Sequence, residues 1–433
     1  MGSFFFCTFP LFYQQRATFV LLPDYKHVSL LAGYIYKTMI NFILFDDHSR
    51  VSLRPLTFFR PVSSIRIGIL TISEKWELHL QQTVSFLTDI YLQEKYKLKV
   101  GADNYLINGS ILPNQELVAE ILSLETDTSL VFDDNVVAIH LTAENLKHFT
   151  EGSSPELKSK QVKASFEKIN NTWDIFGMNK KSIEDDFKLI TTNRKSAKIS
   201  STNQVLGNNL FVEEGASIEC STINTLKGPV YIGKNAEVMQ GCHIIGPVAL
   251  CESSVLKMGT LVYKGSTIGP WCKAGGEINN SILFGYSSKA HDGFLGDSVI
   301  AEWCNLGAGT TTSNLKNNYE PVKQWSYGEN KFISTGLQFC GLVMGDHTKT
   351  GISSMFNSGS TAGVCSNIFG VSYQRNFIPS FVWGGTTGFR KHKLDEAMET
   401  AKAVYARRGI AFDTVEENIF RAVFELTADN RLM

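Results

Sequence analysis

The sequence predicts two architectures in one chain: an α/β domain followed by a parallel β-helix, with short helices at the end. Three observations lead to this prediction. Strand-like and helix-like segments alternate up to about residue 190, aliphatic residues then repeat every six positions, and a helical periodicity begins near residue 390. We therefore expect an extension at 1–38, an α/β domain at 39–195, a β-helix at 205–385 and a helical tail at 390–433.

The charge of the chain is nearly balanced, with 41 basic and 42 acidic residues. This balance argues against nonspecific binding to nucleic acid, which depends on a strong positive field. The eight cysteines include no CxxC pair, which argues against zinc and favours a reducing compartment. Charged residues interrupt the apolar runs before residue 39, so we expect no membrane span and a cytoplasmic protein.

The first domain is predicted from short apolar runs at 41–45, 105–107 and 135–140 and from helical stretches at 74–91 and 157–168. Alternation of this kind favours three layers, with helices packed on a mostly parallel sheet. The apolar run that follows Met39 predicts the first strand, so we place residues 1–38 outside the fold. The polar stretch 191–202 predicts a linker.

The six-residue repeat predicts the second domain. Its aliphatic positions are Ile232, Val238, Ile244, Leu250, Leu256, Val262 and Ile268. Four residues after each stands a small or β-branched residue: Ala236, Cys242, Val248, Ser254, Thr260, Ser266 or Cys272. Three hexads per coil would place the aliphatic residues inside a prism and the small ones at its corners, with coils about 4.8 Å apart. The register is lost between 273 and 293, where we expect a protruding loop.

The last segment predicts two helices. Leu394, Met398, Ala401 and Tyr405 share one helical face, and Thr414 with Glu417 is typical of a capping box. We expect these helices to cover the open end of the β-helix, whose last coil would otherwise expose unpaired backbone groups.

Two motifs lie in the repeat region. One reads Ser-Lys-Ala-His-Asp-Gly-Phe-Leu-Gly-Asp over 288–297, and the other reads Asn-Leu-Gly-Ala-Gly-Thr-Thr-Thr-Ser-Asn over 305–314. Their order and separation closely resemble the acetyltransferase half of the bifunctional N-acetylglucosamine-1-phosphate uridylyltransferase/glucosamine-1-phosphate N-acetyltransferase family, in particular its divergent Bacteroidetes-type branch. The resemblance implies a left-handed β-helix, a nucleotidyltransferase-like (Rossmann-like) first domain and a homotrimer.

The resemblance also implies roles for residues of the β-helix. His291 stands where the family has the base that takes a proton from the amino group, and Asn314 matches the asparagine that orients the sugar. Lys257 replaces a phosphate-binding arginine. A second family lysine is missing near Asn279, so we expect Lys289 to bind the sugar phosphate, with Lys264 or Lys273 as alternatives. Gly341 and Ser358 match backbone contacts of acetyl-CoA.

The first domain matches the family less well. Arg50 corresponds to the arginine of a glycine-rich phosphate loop, but the glycines are missing and Leu56 replaces the lysine. Arg54 and Arg60 would supply charge to a nucleoside triphosphate. Asn108 stands where a magnesium aspartate is expected, and Asn179 matches the second Mg²⁺ ligand. Two interpretations remain open: a nucleotidyltransferase with altered loop chemistry, or a domain that kept the fold and lost the reaction.

From this resemblance we expect an enzyme of UDP-N-acetylglucosamine biosynthesis. It would transfer acetyl from acetyl-CoA to glucosamine-1-phosphate, and uridylyl from UTP to N-acetylglucosamine-1-phosphate. The alternatives are a single-activity acyltransferase with a degenerate first domain and a non-catalytic hexapeptide scaffold.

Overall fold

The computed structural model describes residues 40–133, 135–153, 155–370 and 372–432. The extension predicted at 1–38 lies outside these residues. The first domain contains a six-stranded sheet, whose strands in spatial order are Val84–Leu87, Ile40–Phe45, Asp103–Asn108, Asn135–Thr142, Thr128–Phe132 and Lys158–Gln161. The strand Asn135–Thr142 runs antiparallel to both neighbours and the other three pairings are parallel, so the sheet is mixed.

Helices lie on both sides of this sheet, as expected. The α-helices of the domain are Ser49–Ser52, Ile72–Leu80, Gln115–Leu122, Ala143–Thr150 and Thr172–Thr191. Single turns of 3-10 helix occur at Val62–Ser64 and Ile90–Leu92, and two short strand pairs join Arg66–Ile67 to Leu70–Thr71 and Ile111–Leu112 to Glu167–Lys168. In the described part of the chain, no helix combines the length and apolar character that a bilayer crossing requires.

Two helix predictions in this domain were wrong in extent or type. The helix predicted at 74–91 ends at Leu80, because Gln81 takes a left-handed conformation and the chain continues as the edge strand Val84–Leu87. The stretch predicted as a helix at 157–168 instead forms the strands Lys158–Gln161 and Glu167–Lys168. Its backbone is satisfied by neighbouring strands, and this tertiary pairing overrides a polar sequence with moderate helix propensity.

The second domain is a left-handed parallel β-helix with three faces. Face 1 contains Gln204–Leu206, Thr222–Asn224, His243–Ile245, Leu261–Val262, Glu277–Asn279 and Phe294–Gly296, and the pair Thr311–Thr312 and Met355–Phe356 continues it. Face 2 contains Leu210–Val212, Val230–Ile232, Val248–Leu250, Ser266–Ile268, Ile282–Leu283, Val299–Ile300, Val343–Met344, Thr361–Ala362 and Phe377–Ile378. Face 3 contains Ser217–Ile218, Glu237–Val238, Val255–Leu256, Lys273–Ala274, Ser288–Lys289, Asn305–Leu306, Lys349–Thr350, Asn367–Ile368, Val382–Gly385 and Gly388–Lys391.

The predicted repeat register is confirmed. All seven aliphatic positions are at most 2% exposed and fill the prism, and all seven small positions are at most 1% exposed. Cys242, Cys272 and Cys304 are buried in the same way, as small packing residues. Each coil hydrogen-bonds to the next in register, so the position of a residue in its hexad determines whether its side chain points inward.

The protruding loop predicted between 273 and 293 does not exist. The coil continues there but is shorter: the paired residues Ala274 and Lys289 are 15 positions apart, whereas Leu256 and Ala274 are 18 apart. The real insertion comes later, between Thr312 and Val343, and contains the antiparallel hairpin Lys323–Ser326 and Lys331–Ser334. A shortened coil breaks the sequence register as effectively as a loop does.

The first domain covers face 2 of the β-helix. Ile282, Phe284 and Val299 belong to the same hydrophobic core as Leu56 and Ile65 of the first domain. The corner between faces 3 and 1, called here the 3–1 corner, lies on the opposite side of the prism. Any chemistry at that corner therefore takes place away from the first domain.

The tail forms the helices Leu394–Ala406 and Thr414–Leu426. Met398, Ala401 and Tyr405 are buried, as their spacing predicted. The helices pack along the corner between faces 2 and 3, where Tyr405 stacks on Trp303 at 4.3 Å between ring centroids. The prediction that they cover the open end was wrong, because the antiparallel strand Gly388–Lys391 pairs with the last coil instead.

The capping prediction for the second tail helix was wrong by one residue. The side chain of Asp413, not of Thr414, accepts the capping hydrogen bond, from the backbone N–H of Glu416 at 3.0 Å. Asp413 precedes the first helical residue, and an aspartate at this position also interacts favourably with the helix dipole.

Candidate functional site

His291 lies on the 3–1 corner, between the face 3 strand Ser288–Lys289 and the face 1 strand Phe294–Gly296. Its side chain is exposed, and among the described residues its imidazole has no hydrogen bond or ion pair. Met258 and Ile352 on the same corner are 70% and 77% exposed. The corner therefore presents an unpaired imidazole between accessible apolar side chains.

Lys257 lies on the same corner, two coils before His291 along the axis. The backbone N–H of Lys257 donates to Ala274 O, and the next coil follows directly above, at Ala290. Two layers of about 4.8 Å separate the corner positions by about 10 Å. Lys257 is partly exposed and has no ion pair in the described part of the chain, so its ammonium is free for an anion. The structure thus brings two of the predicted site residues together.

The side chain of Lys289 points into the prism and does not extend outward at the 3–1 corner. Its side chain is 2% exposed and occupies an interior position of face 3, paired with Ala274. Its ammonium donates to the carbonyls of Gly275, at 2.9 Å, and His291, at 2.7 Å. Burial lowers the pKa of Lys289 to about 8, and nearby Asp292 opposes this shift. The prediction that Lys289 binds a sugar phosphate does not fit, because its ammonium lies inside the prism.

Asn314 lies on the corner between faces 1 and 2, across face 1 from His291. Its amide nitrogen donates to the carboxylate of Asp297 at 2.6 Å, and Asn280 donates to the other oxygen at 2.7 Å. Burial raises the pKa of Asp297, although these hydrogen bonds oppose the effect. Asn314 therefore holds a buried carboxylate, and the structure does not place it beside His291.

The two residues predicted to contact acetyl-CoA are both buried. The N–H of Gly341 already donates to Asp297 O at 2.8 Å, and a Cβ at this position would lie 2.0 Å from Gly296 O. The hydroxyl of Ser358 is 3.0 Å from that of Ser313. Gly341 is thus required for close packing at the corner, and the roles of Gly341 and Ser358 toward acetyl-CoA stay predictions.

Arg50 is buried within the first domain. Its guanidinium donates to Asp89 at 2.7 Å, to Asp46 at 2.9 Å and to the hydroxyl of Tyr91 at 2.9 Å. These acidic partners raise the pKa of Arg50 although burial alone would lower it. The prediction that Arg50 binds a nucleotide does not fit, because its donors are occupied within the fold.

Arg60 joins the two domains. It is 3% exposed and forms a bidentate pair with the buried carboxylate of Asp346, with Glu302 at 3.1 Å as a second partner. The prediction that Arg60 binds a nucleotide therefore does not fit either. Arg54 is partly exposed, packs over the ring of Phe58 at 5.2 Å and has no ion pair among the described residues, so its role stays a prediction.

Asn179 also lies at the domain interface. It is completely buried, its Oδ1 accepts from the N–H of Gly68 at 2.6 Å, and its Nδ2 donates to Gly265 O and Thr267 Oγ1. The prediction that Asn179 binds magnesium does not fit, because both ends of its amide are occupied by protein partners. Within the described ranges, no three histidine, cysteine or carboxylate side chains form a metal-binding group. The residues present do not fit a Mg²⁺ ion in the way the resemblance implied.

A cleft of about 580 Å³ lies at the carboxyl ends of the parallel strands of the first domain, where α/β sheets bind ligands. His48, Asn108 and Lys168 line it, and Lys168 pairs with Asp47 at 2.7 Å. Burial alone would raise the pKa of Asp47, but hydrogen bonds from Lys168 and Ser49 lower it. None of the three predicted arginines lines this cleft.

Sequence reasoning missed Asp47, Lys168 and Asp297. The position of Asp47 in the sequence could have identified it. It stands two residues after the strand Ile40–Phe45, and α/β sheets bind ligands at the carboxyl ends of their strands. Asp297 ends the first quoted motif, but its burial follows from the corner geometry of the prism. Lys168 comes from a distant segment, and its proximity to Asp47 depends on the strand pair Ile111–Leu112 with Glu167–Lys168.

The fold defines a class of protein: an α/β domain of the nucleotidyltransferase-like type joined to a left-handed hexapeptide β-helix. Residues 42–195 match the family described as sugar nucleotidyl transferase. The family resemblance seen in the motifs is confirmed by similarity to bifunctional enzymes that combine these two parts.

Among these relatives, the bifunctional sugar-1-phosphate nucleotidylyltransferase/acetyltransferase of Sulfurisphaera tokodaii is 31% identical over 38% of this chain and 40% of its own. The bifunctional protein GlmU of Methanococcus maripaludis is 27% identical over 61% of this chain and 60% of its own. The chain thus spans about half the length of the curated relatives it matches. The solved structure of Arabidopsis UDP-N-acetylglucosamine acyltransferase aligns over 54% of this chain and 94% of that chain, with 16% identity and a TM-score of 0.26.

Proposed function

We propose that the β-helix transfers an acetyl group from acetyl-CoA to the amino group of an amino sugar phosphate such as glucosamine-1-phosphate. The observation that carries this proposal is the exposed, unpaired imidazole of His291 on the 3–1 corner, two coils from the free ammonium of Lys257. The motifs around His291 and the names of the relatives agree with this chemistry. The proposal extends to a homotrimer, as the resemblance implies.

His291 supplies the base that this reaction needs. The nucleophile is a neutral amine, so the substrate ammonium first loses one proton to solvent. As the amine nitrogen attacks the thioester carbon, the imidazole takes a second proton from that nitrogen. The C–N bond forms, the C–S bond breaks, and the protonated imidazole returns its proton to the leaving thiolate of coenzyme A. An imidazole without intramolecular partners is able to carry out both proton transfers.

Lys257 supplies a fixed positive charge for the phosphate. The corner positions of Lys257 and His291 are about 10 Å apart, and the side chain of Lys257 is partly exposed and that of His291 exposed. The coil between them has glycine at both corner positions, Gly275 and Gly276, so neither position adds a side chain to that space. A sugar phosphate therefore fits with its phosphate near Lys257 and its amine near His291.

The test is release of free thiol from acetyl-CoA in the presence of glucosamine-1-phosphate. We expect turnover that depends on both substrates, with the product acetylated on nitrogen. No thiol release by folded protein of confirmed oligomeric state would favour the alternative, a non-catalytic hexapeptide scaffold. Light scattering on the same sample would test the homotrimer.

A second candidate function is nucleotidyl transfer by the first domain. The family match over residues 42–195 and the cleft lined by Asn108 and Lys168 favour it. The buried positions of Arg50 and Arg60 favour the opposite interpretation, a retained fold without the reaction. Incubation with N-acetylglucosamine-1-phosphate, magnesium and a panel of nucleoside triphosphates that includes UTP should release pyrophosphate if the domain is active. No release across the panel would leave a single-activity acetyltransferase.

A further inference from the structure

A cleft of about 740 Å³ lies at the far end of the β-helix, outside both sites described above. It is bounded by the inserted hairpin, by the last coil and by the terminal strand Gly388–Lys391. Its lining residues are Trp325, Phe332, Arg375, Asn376, Phe377, Pro379, Val382, Gly388, Phe389 and Arg431. None of these residues is acidic, so the cleft combines aromatic and cationic side chains only with neutral ones.

The aromatic side chains form one wall. Trp325 stacks on Phe377 with 4.2 Å between ring centroids and an interplanar angle of 15°, and Phe332 meets Trp325 edge-on at 5.3 Å. Phe332 is 40% exposed and Trp325 is partly exposed. A planar ring that enters the cleft can pack against this wall, as bases do against aromatic side chains in single-strand-binding proteins.

Two guanidinium groups line the cleft. Arg375 is exposed and has no ion pair in the described part of the chain, and Arg431 has one guanidinium nitrogen that already donates to Phe424 O and Thr427 Oγ1. The strands that frame the cleft carry three further exposed cations, Lys323, Arg390 and Lys391, and a fourth, Lys331, pairs with Glu329 at 3.0 Å. Arginine binds phosphate through paired N–H donors, and the surrounding cations strengthen the local field.

We propose that this cleft binds a nucleotide, with its base against the Trp325 and Phe332 wall and its phosphate at Arg375. The same chemistry is available from the nucleotide end of coenzyme A and from a free nucleoside phosphate. The lining residue Asn376 donates to Ser358 O at 3.2 Å, and the hydroxyl of Ser358 lies 3.0 Å from that of Ser313, the neighbour of Asn314. Binding at this cleft does not depend on any transfer reaction.

The test is calorimetric titration of the full chain with adenosine 3′,5′-bisphosphate, ATP and UTP, with inorganic phosphate as the probe for a simple anion. We expect nucleotide binding that weakens about 10-fold in Trp325→Leu, within the range for loss of one base stack. Arg375→Gln should weaken it by a similar factor and reduce its dependence on salt. Arg407→Gln is the matched control, since Arg407 is exposed, directly follows the helix Leu394–Ala406 and does not line the cleft.

The ligands separate the two sources. Preference for adenosine 3′,5′-bisphosphate over ATP and UTP would assign the cleft to coenzyme A, and equal binding of all three would assign it to free nucleotides. The proposal is overturned if no nucleotide binds, if inorganic phosphate binds as tightly as the nucleotides, or if neither variant changes the affinity. Because Arg375 is exposed, its variant keeps the test decisive even if Trp325→Leu disturbs the hairpin.

Discussion

The 3–1 corner of the β-helix differs from the segment 46–61 that follows the first strand of the first domain. This segment, called here the loop, includes the one-turn helix Ser49–Ser52. On the corner, His291 and Lys257 are accessible, and neither forms an ion pair with another described residue. In the loop, Arg50 and Arg60 are buried, and carboxylates occupy their guanidinium groups. The motif match within the repeat therefore predicted accessibility correctly for His291 and Lys257 but not for Lys289, and the match in the loop failed for Arg50 and Arg60.

The difference has a geometric cause. In a β-helix, the position in the hexad determines whether a residue points inward, sits at a corner or faces solvent. In a loop, no periodicity fixes the direction of a side chain. The side chain can then form contacts with residues of a neighbouring domain. Here the first domain covers face 2, and Arg60 reaches across this interface to Asp346. Variants on the corner should therefore change chemistry, and variants in the loop should change stability.

The largest effect is expected for His291→Ala. Loss of the base should lower the rate of acetyl transfer by about 10² to 10⁴, the usual contribution of general-base catalysis. The melting temperature should stay nearly unchanged because the side chain is exposed. His243→Ala, at an exposed position of face 1, is the control and should leave the rate unaltered. Equal rate losses in both variants, or unfolding of the first, would mean that His291 has a structural role.

Arg60→Ala tests the loop side of the comparison. Truncation leaves Asp346 buried without its partner, which typically costs about 3–5 kcal/mol of unfolding free energy. Burial already raises the pKa of Asp346, so the uncompensated carboxyl should become neutral. Urea denaturation measures the loss. The double variant Arg60→Met, Asp346→Leu should recover much of the stability, because an apolar pair can replace a buried ion pair.

The outcome for Arg60 would be different if it bound a nucleotide. In that case Arg60→Ala would lower the affinity for nucleoside triphosphates and leave the urea midpoint unchanged. This combination would contradict the burial of its guanidinium against Asp346.

Lys289→Met should alter how stability depends on pH. The pKa of Lys289 is about 8 in the fold, below its ordinary value near 10.4 in an unfolded chain. Between these values the unfolded state binds more protons, so the stability of the wild-type protein rises with pH. The contribution approaches about 3 kcal/mol across the window. Unfolding free energies of both proteins from pH 7.5 to 10 give this difference, and parallel pH profiles would show that Lys289 does not titrate there.

The β-helix was predictable in detail because the six-residue repeat recurs from coil to coil. Ile232 and Leu250 occupy the interior positions that their spacing required. The short coil that ends at Lys289 was not predictable, because a deletion and a loop interrupt the register in the same way. The position of Lys289 inside the prism follows from that deletion. The site prediction for Lys289 and the loop prediction were therefore wrong for the same reason.

The first domain was predictable as a class but not in its contacts. Alternating elements indicated an α/β sheet, and the sheet exists. The interface with face 2 depends on residues far apart in sequence, such as Asn179 with Gly265 and Arg60 with Asp346. No local pattern encodes these pairs. Asn179 was therefore predicted as a site residue from its motif position, and Arg60 as a source of positive charge.

The smallest effect is expected for Lys257→Ala, which tests whether the corner binds the phosphate. The lost contact is a charge interaction that substrate and transition state share, so KM for glucosamine-1-phosphate should rise about 10-fold with kcat nearly constant. KM for acetyl-CoA should change little. Lys264→Ala is the matched control, because Lys264 is exposed on the corner between faces 1 and 2, away from His291. If KM rises instead in Lys264→Ala or Lys273→Ala, the phosphate site lies at that lysine. A single lysine in water contributes modestly to binding because its charge is screened, which is why this effect is smaller than the loss of a base.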